Sequence, residues 1–352
     1  MYKFKIVIFI TILGSLIIAC QEERVLINND IAHFSEFPVE EKLSFVDIFE
    51  YKEGLPRDLR VVDSTLVICN RQKGSQYLLH NYSLNSGLLL KKDLRVGKGP
   101  GEALGAFNFG IVGSDFWVHD IMTKKILFKS IYNVLDENDF SSFKEFELTD
   151  FFYKISFIDS LRFYGVGHLQ STYKINEIDM KSNNEVNRFG MFSTLPEKMP
   201  IDAVKDAYLS YIYSRPSGGK LVLPYRYTDI FEIYDQKEQI WLAIQGPHFF
   251  DVDFEVRTTS RGNNYMQKTK KTKRAYINGA VTEKYIYLIY SGNTRDNDWT
   301  SSKFIFVFDW NGKPIKKIYL DRSISKLTVS KDDKTIYSYD ENNGCIIKAN
   351  IN

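Results

Sequence analysis

Polar and apolar positions alternate along this chain in short runs, and a helical 3.6-residue period is nearly absent beyond the first twenty residues. One unit recurs: a tight polar turn leading into a short apolar or alternating strand. It reads Val61-Val62-Asp63-Ser64-Thr65-Leu66-Val67-Ile68, then Ile111-Val112-Gly113-Ser114-Asp115-Phe116-Trp117-Val118, then Phe157-Ile158-Asp159-Ser160-Leu161-Arg162-Phe163-Tyr164. A looser fourth copy runs Ser217-Gly218-Gly219-Lys220 into Leu221-Val222-Leu223. Val281-Thr282-Glu283-Lys284-Tyr285-Ile286-Tyr287-Leu288 is the fifth, and 329–337, turning at Asp332-Asp333, the sixth. A further strand and a second turn follow each copy. The clearest is 304–309, then Trp310-Asn311-Gly312-Lys313, then 315–320, because Asn-Gly between two strand-like runs is a strong hairpin signal.

The polar turns at 63, 114, 159, 218, 283 and 332 are spaced by 51, 45, 59, 65 and 49 residues. Repeats of about 40–50 residues with four strands each mark propeller blades. One small twisted sheet cannot bury both of its faces, and radial packing of several sheets does. The reading is therefore all-β, a six-bladed β-propeller of four-stranded blades, favoured over a β-sandwich because the unit spans the chain. The sixth copy ends at the carboxy terminus, so an amino-terminal strand near 43–49 is expected to complete the last blade.

The first residues have a different pattern. Lys3 and Lys5 precede an apolar stretch from Ile6 to Ala19, too short for a spanning helix, which needs about 20 apolar residues, and suited to the core of a secretory signal. It ends Ile17-Ile18-Ala19-Cys20, which resembles a lipobox. Residues 1–19 are expected to be a cleaved lipoprotein signal peptide, with cleavage between Ala19 and Cys20 and lipidation of Cys20. An ordinary secretory signal and an uncleaved anchor are the competing readings. Residues 20–42 are then a tether and 43–352 the propeller. This places the protein in the cell envelope, lipid-anchored to the outer membrane. Gln21-Glu22-Glu23 resembles a surface-export signal and leans the assignment towards the outer leaflet.

Composition narrows the chemistry. The whole chain carries 46 basic and 44 acidic residues, and loss of Lys3 and Lys5 leaves the mature chain neutral, which argues against a nucleic-acid partner. Aromatic residues make up 15% of the chain and favour strands. Cys69 and Cys345 could form one bridge in an oxidising compartment, but strand-like surroundings favour two buried free thiols. The five histidines show no metal-ligand spacing and no Gly-x-Ser-x-Gly elbow exists, so neither a metal, a cofactor nor a catalytic set is assigned.

Val96-Gly97-Lys98-Gly99-Pro100-Gly101-Glu102 resembles the Gly-x-Gly-Pro-Gly-Glu motif of TolB-like six-bladed β-propeller lipoproteins. Tyr227-Thr228-Asp229-Ile230-Phe231-Glu232-Ile233 is similar to that family's Asp-Thr-Ile-Tyr strand with the order changed. Phe308-Asp309, Gly312-Lys313-Pro314, Leu320-Asp321 and Thr335-Ile336-Tyr337 extend the likeness to the end of the chain. The resemblance implies the propeller fold and an envelope location, and no established reaction. Gly97, Gly99, Pro100, Gly101 and Glu102 lack the Gly-Lys-Ser/Thr and the following helix of a phosphate loop, and are read as a tight inter-blade turn.

Strands that run up and down a blade put alternate connections on opposite faces. Short turns (63–65, 113–115, 159–160, 235–238, 310–313, 331–334) fall on one face, with 133–142 the exception. The long segments 97–106, 190–206, 246–275 and 291–302 fall on the other, where binding is expected to concentrate. Arg257, Arg261, Lys268, Lys270, Lys271, Lys273 and Arg274 form a basic run after Asp251, Asp253 and Glu255. It is either an anion-binding lip or a solvated run paired with those acids. Asp296, Asp298 and Trp299 suit sugar binding or loop packing. His119 and His168, at matching strand ends in copies two and three, could meet at the channel mouth. His119, His168, Arg226, Arg257, Asp296, Asp298 and Trp299 are the candidate ligand contacts. Function is expected to be non-catalytic binding of a glycan, a peptide or an envelope protein; the alternative is a propeller enzyme acting on glycan or lactone-like substrates at the channel mouth.

Overall fold

Each of the six turn-and-strand copies forms the inner hairpin of one blade. The computed structural model describes residues 31–71, 74–168, 171–192 and 199–351; the expected signal peptide, Ala19 and Cys20 lie outside the described residues. Blades 1 to 3 are four-stranded antiparallel sheets over 56–95, 108–147 and 154–191. Blade 4 (213–245) and blade 5 (273–324) each carry a fifth, parallel strand on the outside. Blade 6 combines Leu327–Val329, Thr335–Asp340 and Cys345–Asn350 with Val46–Glu50, which pairs antiparallel with the last strand. The amino-terminal closing strand is thus where the repeat count requires it, and it removes the sheet edge that would otherwise remain open at the ring's seam.

The segment expected as a tether is part of the fold from Ile31 onward. Ile31–His33 adds to blade 4, Glu40–Leu43 to blade 5, and Val46–Glu50 to blade 6. Between the first two, Phe34 and Phe37 pack onto Phe306 and Phe308. The alternation of this stretch is too short to announce strands; the outer edges of blades 4 and 5 make them.

Alternate side chains of every blade point into the gaps between blades, so the apolar core is divided among the blade interfaces. Val67, Phe109 and Phe116 pack between blades 1 and 2, and Trp117, Ile155 and Phe163 between blades 2 and 3. Tyr164, Leu221 and Tyr234 fill the gap between blades 3 and 4, and Phe231, Tyr276 and Phe308 that between blades 4 and 5. Ile305, Ile318 and Ile336 pack between blades 5 and 6, and Leu66, Tyr82 and Ile346 close the ring. Hydrogen bonds stitch neighbouring inner strands: Asn108 Nδ2 to the Ile155 carbonyl (2.6 Å), Ser156 Oγ to Ser214 Oγ (2.7 Å), and the Val61 amide to Thr328 Oγ1 (3.2 Å). Cys69 and Cys345 are both free; Cys69 is buried with its thiol pushed up to about 12 by burial, whereas Cys345 is partly exposed instead of buried.

The two faces differ as the turn lengths require. Connections on the first face are short, such as 63–64, 113–114 and 310–313, apart from 131–143, which holds the short helix Ile131–Leu135. The second face receives 96–107, 199–212 and 246–272. The last two build a platform. Helix Ile201–Ala207 buries Ala203, Val204 and Ala207 on one side and packs against the hairpin Phe254–Thr258 and Asn264–Lys268. Met266, Tyr208, Tyr225, Tyr227 and Trp299 form a small apolar core beneath it.

Candidate functional site

The inner strands open towards the loop-rich face, and residues in and just before them ring the channel mouth. Arg57 and Asp58 come from blade 1, Tyr153 and Lys154 from blade 3, Tyr211 from the approach to blade 4, Arg274 and Asn278 from blade 5, and Lys326 from the approach to blade 6. Together they line a cavity of about 220 Å³. All except Arg274 stand at nearly the same place ahead of their blade's polar turn, where the chain enters or begins the inner strand.

The charge in this cavity is one-sided. Arg57, Arg71, Lys154, Arg274 and Lys326 line it, and Asp58 is the acid among them. Lys326 Nζ pairs with Glu341 at 2.7 Å. Arg57, Arg71, Lys154 and Arg274 make no salt bridge with a described carboxylate. Lys154 donates to the Phe107 carbonyl. Burial pulls the Lys154 ammonium below its ordinary range, against the opposing pull of Asp58 and Tyr211. Burial likewise pushes the Asp58 carboxyl up, although Lys154, Arg60 and the Leu59 amide act to lower it.

Aromatic side chains hold the arginines. Arg226, on the loop between the second and third strands of blade 4, donates from Nη1 to Tyr153 Oη at 2.8 Å. Its guanidinium lies 5.8 Å from the Tyr153 ring, 6.0 Å from Tyr211 and 5.4 Å from Tyr227. Arg274 donates from Nη2 to Tyr211 Oη at 2.9 Å and from Nε to the Tyr276 carbonyl at 3.1 Å, and Tyr211 donates to the Ile277 carbonyl. Burial alone would raise the Tyr211 hydroxyl, but Arg274, Arg226 and Lys154 outweigh it and lower it below the usual tyrosine value. Two buried polar atoms here have no hydrogen-bond partner among the described residues, Arg226 Nε and Asn278 Oδ1.

The residues singled out from sequence are scattered by the fold. Arg226 stands beside the cavity and Trp299 lies behind it, against Tyr227 at 6.3 Å. Asp298 caps its own turn, accepting from the Thr300 amide at 3.0 Å and from Ser301 Oγ, and Asp296 is exposed. The structure does not bring His119 and His168 together at the mouth. His119 is buried in the second strand of blade 2, with Nδ1 3.0 Å from Asn108 Oδ1, and burial lowers it to about 3. His168 packs on Phe152 and lies 3.6 Å from Asp150 Oδ1. The basic run divides: Arg257 pairs with Glu255 at 2.7 Å on the exposed hairpin, Lys268 lies over Tyr227, and only Arg274 enters the cavity. The glycine motif connects blades 1 and 2. Glu102 accepts from the Gly99 amide at 2.9 Å, Gly101 adopts φ 71°, and a Cβ on Gly97 would overlap the Glu102 carboxylate. Its carboxylate therefore fills the space that a phosphate would need.

Arg57, Asp58, Tyr153, Lys154, Tyr211 and Lys326 escape a reading by motif, because they are far apart in sequence and none belongs to a pattern of its own. A signal did exist: a charged or phenolic residue opens an otherwise apolar inner strand in copy after copy.

The sequence matches the family described as TolB-like 6-blade propeller-like across residues 33–332. The chain belongs to that family. Solved structures share its fold at low identity. A member of the DUF4221 family from Bacteroides vulgatus matches at TM-score 0.57 and 10% identity, over 89% of this chain and 96% of that one. A putative exported protein from Bacteroides fragilis matches at TM-score 0.56 and 14% identity, over 89% and 99%. The RRP9 WD40 repeats match at TM-score 0.50 and 13% identity, over 88% and 97%. No curated protein matches the sequence. Identities this low speak for the fold alone. No described helix is long and apolar enough to cross a membrane, and no described group of His, Cys, Asp and Glu side chains is placed to hold a metal ion.

Proposed function

We propose that this protein is a lipid-anchored module of the cell envelope that binds its ligand, without catalysis, through the loop-rich face of the propeller. The observation that carries the reading is the cavity at the channel mouth on that face, walled by polar and charged side chains from separate blades. A rigid ring with long loops on one side is a scaffold on which such sites are commonly built. The anchor rests on the lipobox-like Ile17-Ile18-Ala19-Cys20, and the TolB-like family, typically periplasmic or envelope-associated, supports the location. The partner is a glycan, a peptide or an envelope protein.

The test is a thermal-shift screen of the full chain against neutral and acidic glycans, peptides and metal ions, since a ligand that binds only the folded state raises the melting temperature. A hit whose shift disappears in Trp299→Ala or Tyr153→Ala, and persists in Lys237→Ala on the opposite face, supports the reading. Loss of the shift in Lys237→Ala alone overturns it. For the anchor, Cys20→Ser is expected to move the protein from the membrane to the soluble fraction. The alternative, an enzyme acting on glycan or lactone-like substrates, has one feature behind it: the lowered Tyr211 hydroxyl among three cations. Turnover of a bound glycan that is lost in Tyr211→Phe would favour it.

A further inference from the structure

The half-buried cations at the channel mouth are arranged unlike the buried cations between the blades. Lys129 contacts Asp93 and Asp139, both at 2.9 Å, and Lys174 contacts Glu232 at 2.8 Å. Charges removed from bulk water are as a rule paired, because an unpaired buried ion loses its hydration without compensation. The mouth departs from this rule with cations in excess: its one acid, Asp58, also makes no salt bridge with a described residue and acts on Lys154 only through its charge. Arg57, Lys154 and Arg274 face the cavity without an ion-pair partner among the described residues, Arg71 stands at its rim, and Arg226 backs it. Like charges gathered around one cavity repel, and Arg57 pulls the Lys154 ammonium down. An anion placed among them removes that repulsion and gains an attraction to each.

We propose that the cavity binds a small hydroxylated organic anion, its carboxylate or phosphate group held by Arg57, Lys154 and Arg274. This deepens the reading of the loop-rich face as a binding surface and rests on it. Three features set the class. Guanidinium groups match the two-oxygen edge of carboxylate and phosphate, and both arginines are kept in place by aromatic or phenolic neighbours: Arg57 lies 4.5 Å over the Phe107 ring, and Arg274 is bonded to Tyr211. The volume of about 220 Å³ is that of about seven liquid waters at ~30 Å³ each, which suits one sugar-sized molecule and not an extended chain. The third is Asn278 Oδ1, a buried acceptor in the lining without a donor among the described residues. An oxyanion cannot satisfy it, whereas a ligand hydroxyl can once the amide turns its enclosed oxygen into the cavity. Thr300 and Ser325 also line the wall, with their hydroxyls donating to Asp298 at 2.9 Å and Glu341 at 2.7 Å.

Isothermal titration calorimetry of the full chain at constant ionic strength tests this with three hexose probes: galacturonate, glucose 6-phosphate and glucose. One or both anions are expected to bind and glucose is not; which of the two binds more tightly identifies the oxyanion. Arg57→Gln and Arg274→Gln are each expected to weaken binding at least tenfold. Arg257→Gln, on the exposed hairpin, leaves it unchanged, and circular dichroism checks that each variant is folded. Asn278→Leu retains the oxyanion contacts and is expected to lose only the hydroxyl selectivity, so that binding of the hexose anion falls towards that of inorganic phosphate or acetate. Equal binding of glucose overturns the anion assignment while leaving the binding face in place. Absence of binding by both anions, or anion binding untouched in Arg57→Gln and Arg274→Gln, overturns the proposal outright; failure of the loop-face reading is scored separately by the opposite-face variant.

Discussion

Blade 3 contributes two lysines with opposite fates. Lys174, on its third strand, enters the interface with blade 4 and meets Glu232 at 2.8 Å, while Tyr225 Oη donates to the other carboxylate oxygen at 2.5 Å and the Trp241 ring lies 5.4 Å away. Lys154, opening the first strand, faces the axis and finds a backbone carbonyl and the charges of its neighbours. The interface lysine is inside a closed circuit whose members complete one another. The mouth lysine belongs to an open one. A charge inside a closed circuit serves the fold, and its loss is a structural event. A charge in an open circuit adds repulsion to the fold, and its benefit appears only when something else is bound.

The largest effect should come from opening the closed circuit. Glu232→Gln leaves Lys174 without its buried partner and is expected to cost about 3–5 kcal/mol in denaturant unfolding. Adding Lys174→Met to Glu232→Gln should recover much of that loss. If Glu232→Gln costs no more than a surface change, the two lysines are not different in kind.

A second effect sharpens the comparison through pH. Burial holds His119 at about 3 and His80 at about 4, both below their unfolded value near 6.5. For groups whose folded value is lowered, the stability they contribute is complete above 6.5 and is lost as pH falls towards the folded value. Each histidine is therefore expected to remove about 1.4 kcal/mol of stability per pH unit between roughly 6 and 4. The charge of Lys154 also lowers His119, so Lys154→Gln should raise the His119 titration midpoint in NMR and leave His80 where it is. An unmoved His119 would mean that the field of the mouth does not reach the second strand.

Relaxing the open circuit gives the smallest effect. Arg57→Gln removes a charge that makes no salt bridge, so its unfolding free energy should stay within about 1 kcal/mol of the parent. Because repulsion among the remaining cations falls, the protein should also gain less from added salt than the parent does. Marked destabilisation by Arg57→Gln would show that the mouth, too, is a structural circuit.

Much of the architecture could be read without coordinates because it is local. A strand–turn–strand unit repeats through the chain, and one sheet cannot bury its two faces alone; the six inner hairpins at 63, 114, 159, 218, 283 and 332 follow, and so does the amino-terminal strand that closes the ring. The asymmetry of the faces was legible for the same reason, since up-and-down strands fix the side on which each connection emerges. Tertiary structure alone decided three further things. The stretch 31–43 becomes two strands only because blades 4 and 5 offer it parallel edges. His119 is a core group because Asn108, on the neighbouring strand, takes its ring nitrogen. Arg57, Lys154 and Arg274 form one cavity because radial packing brings the openings of distant strands to a common axis. Periodicity is written between neighbours in sequence. The balance of charge in a cavity is a sum over residues that meet only once the ring has closed.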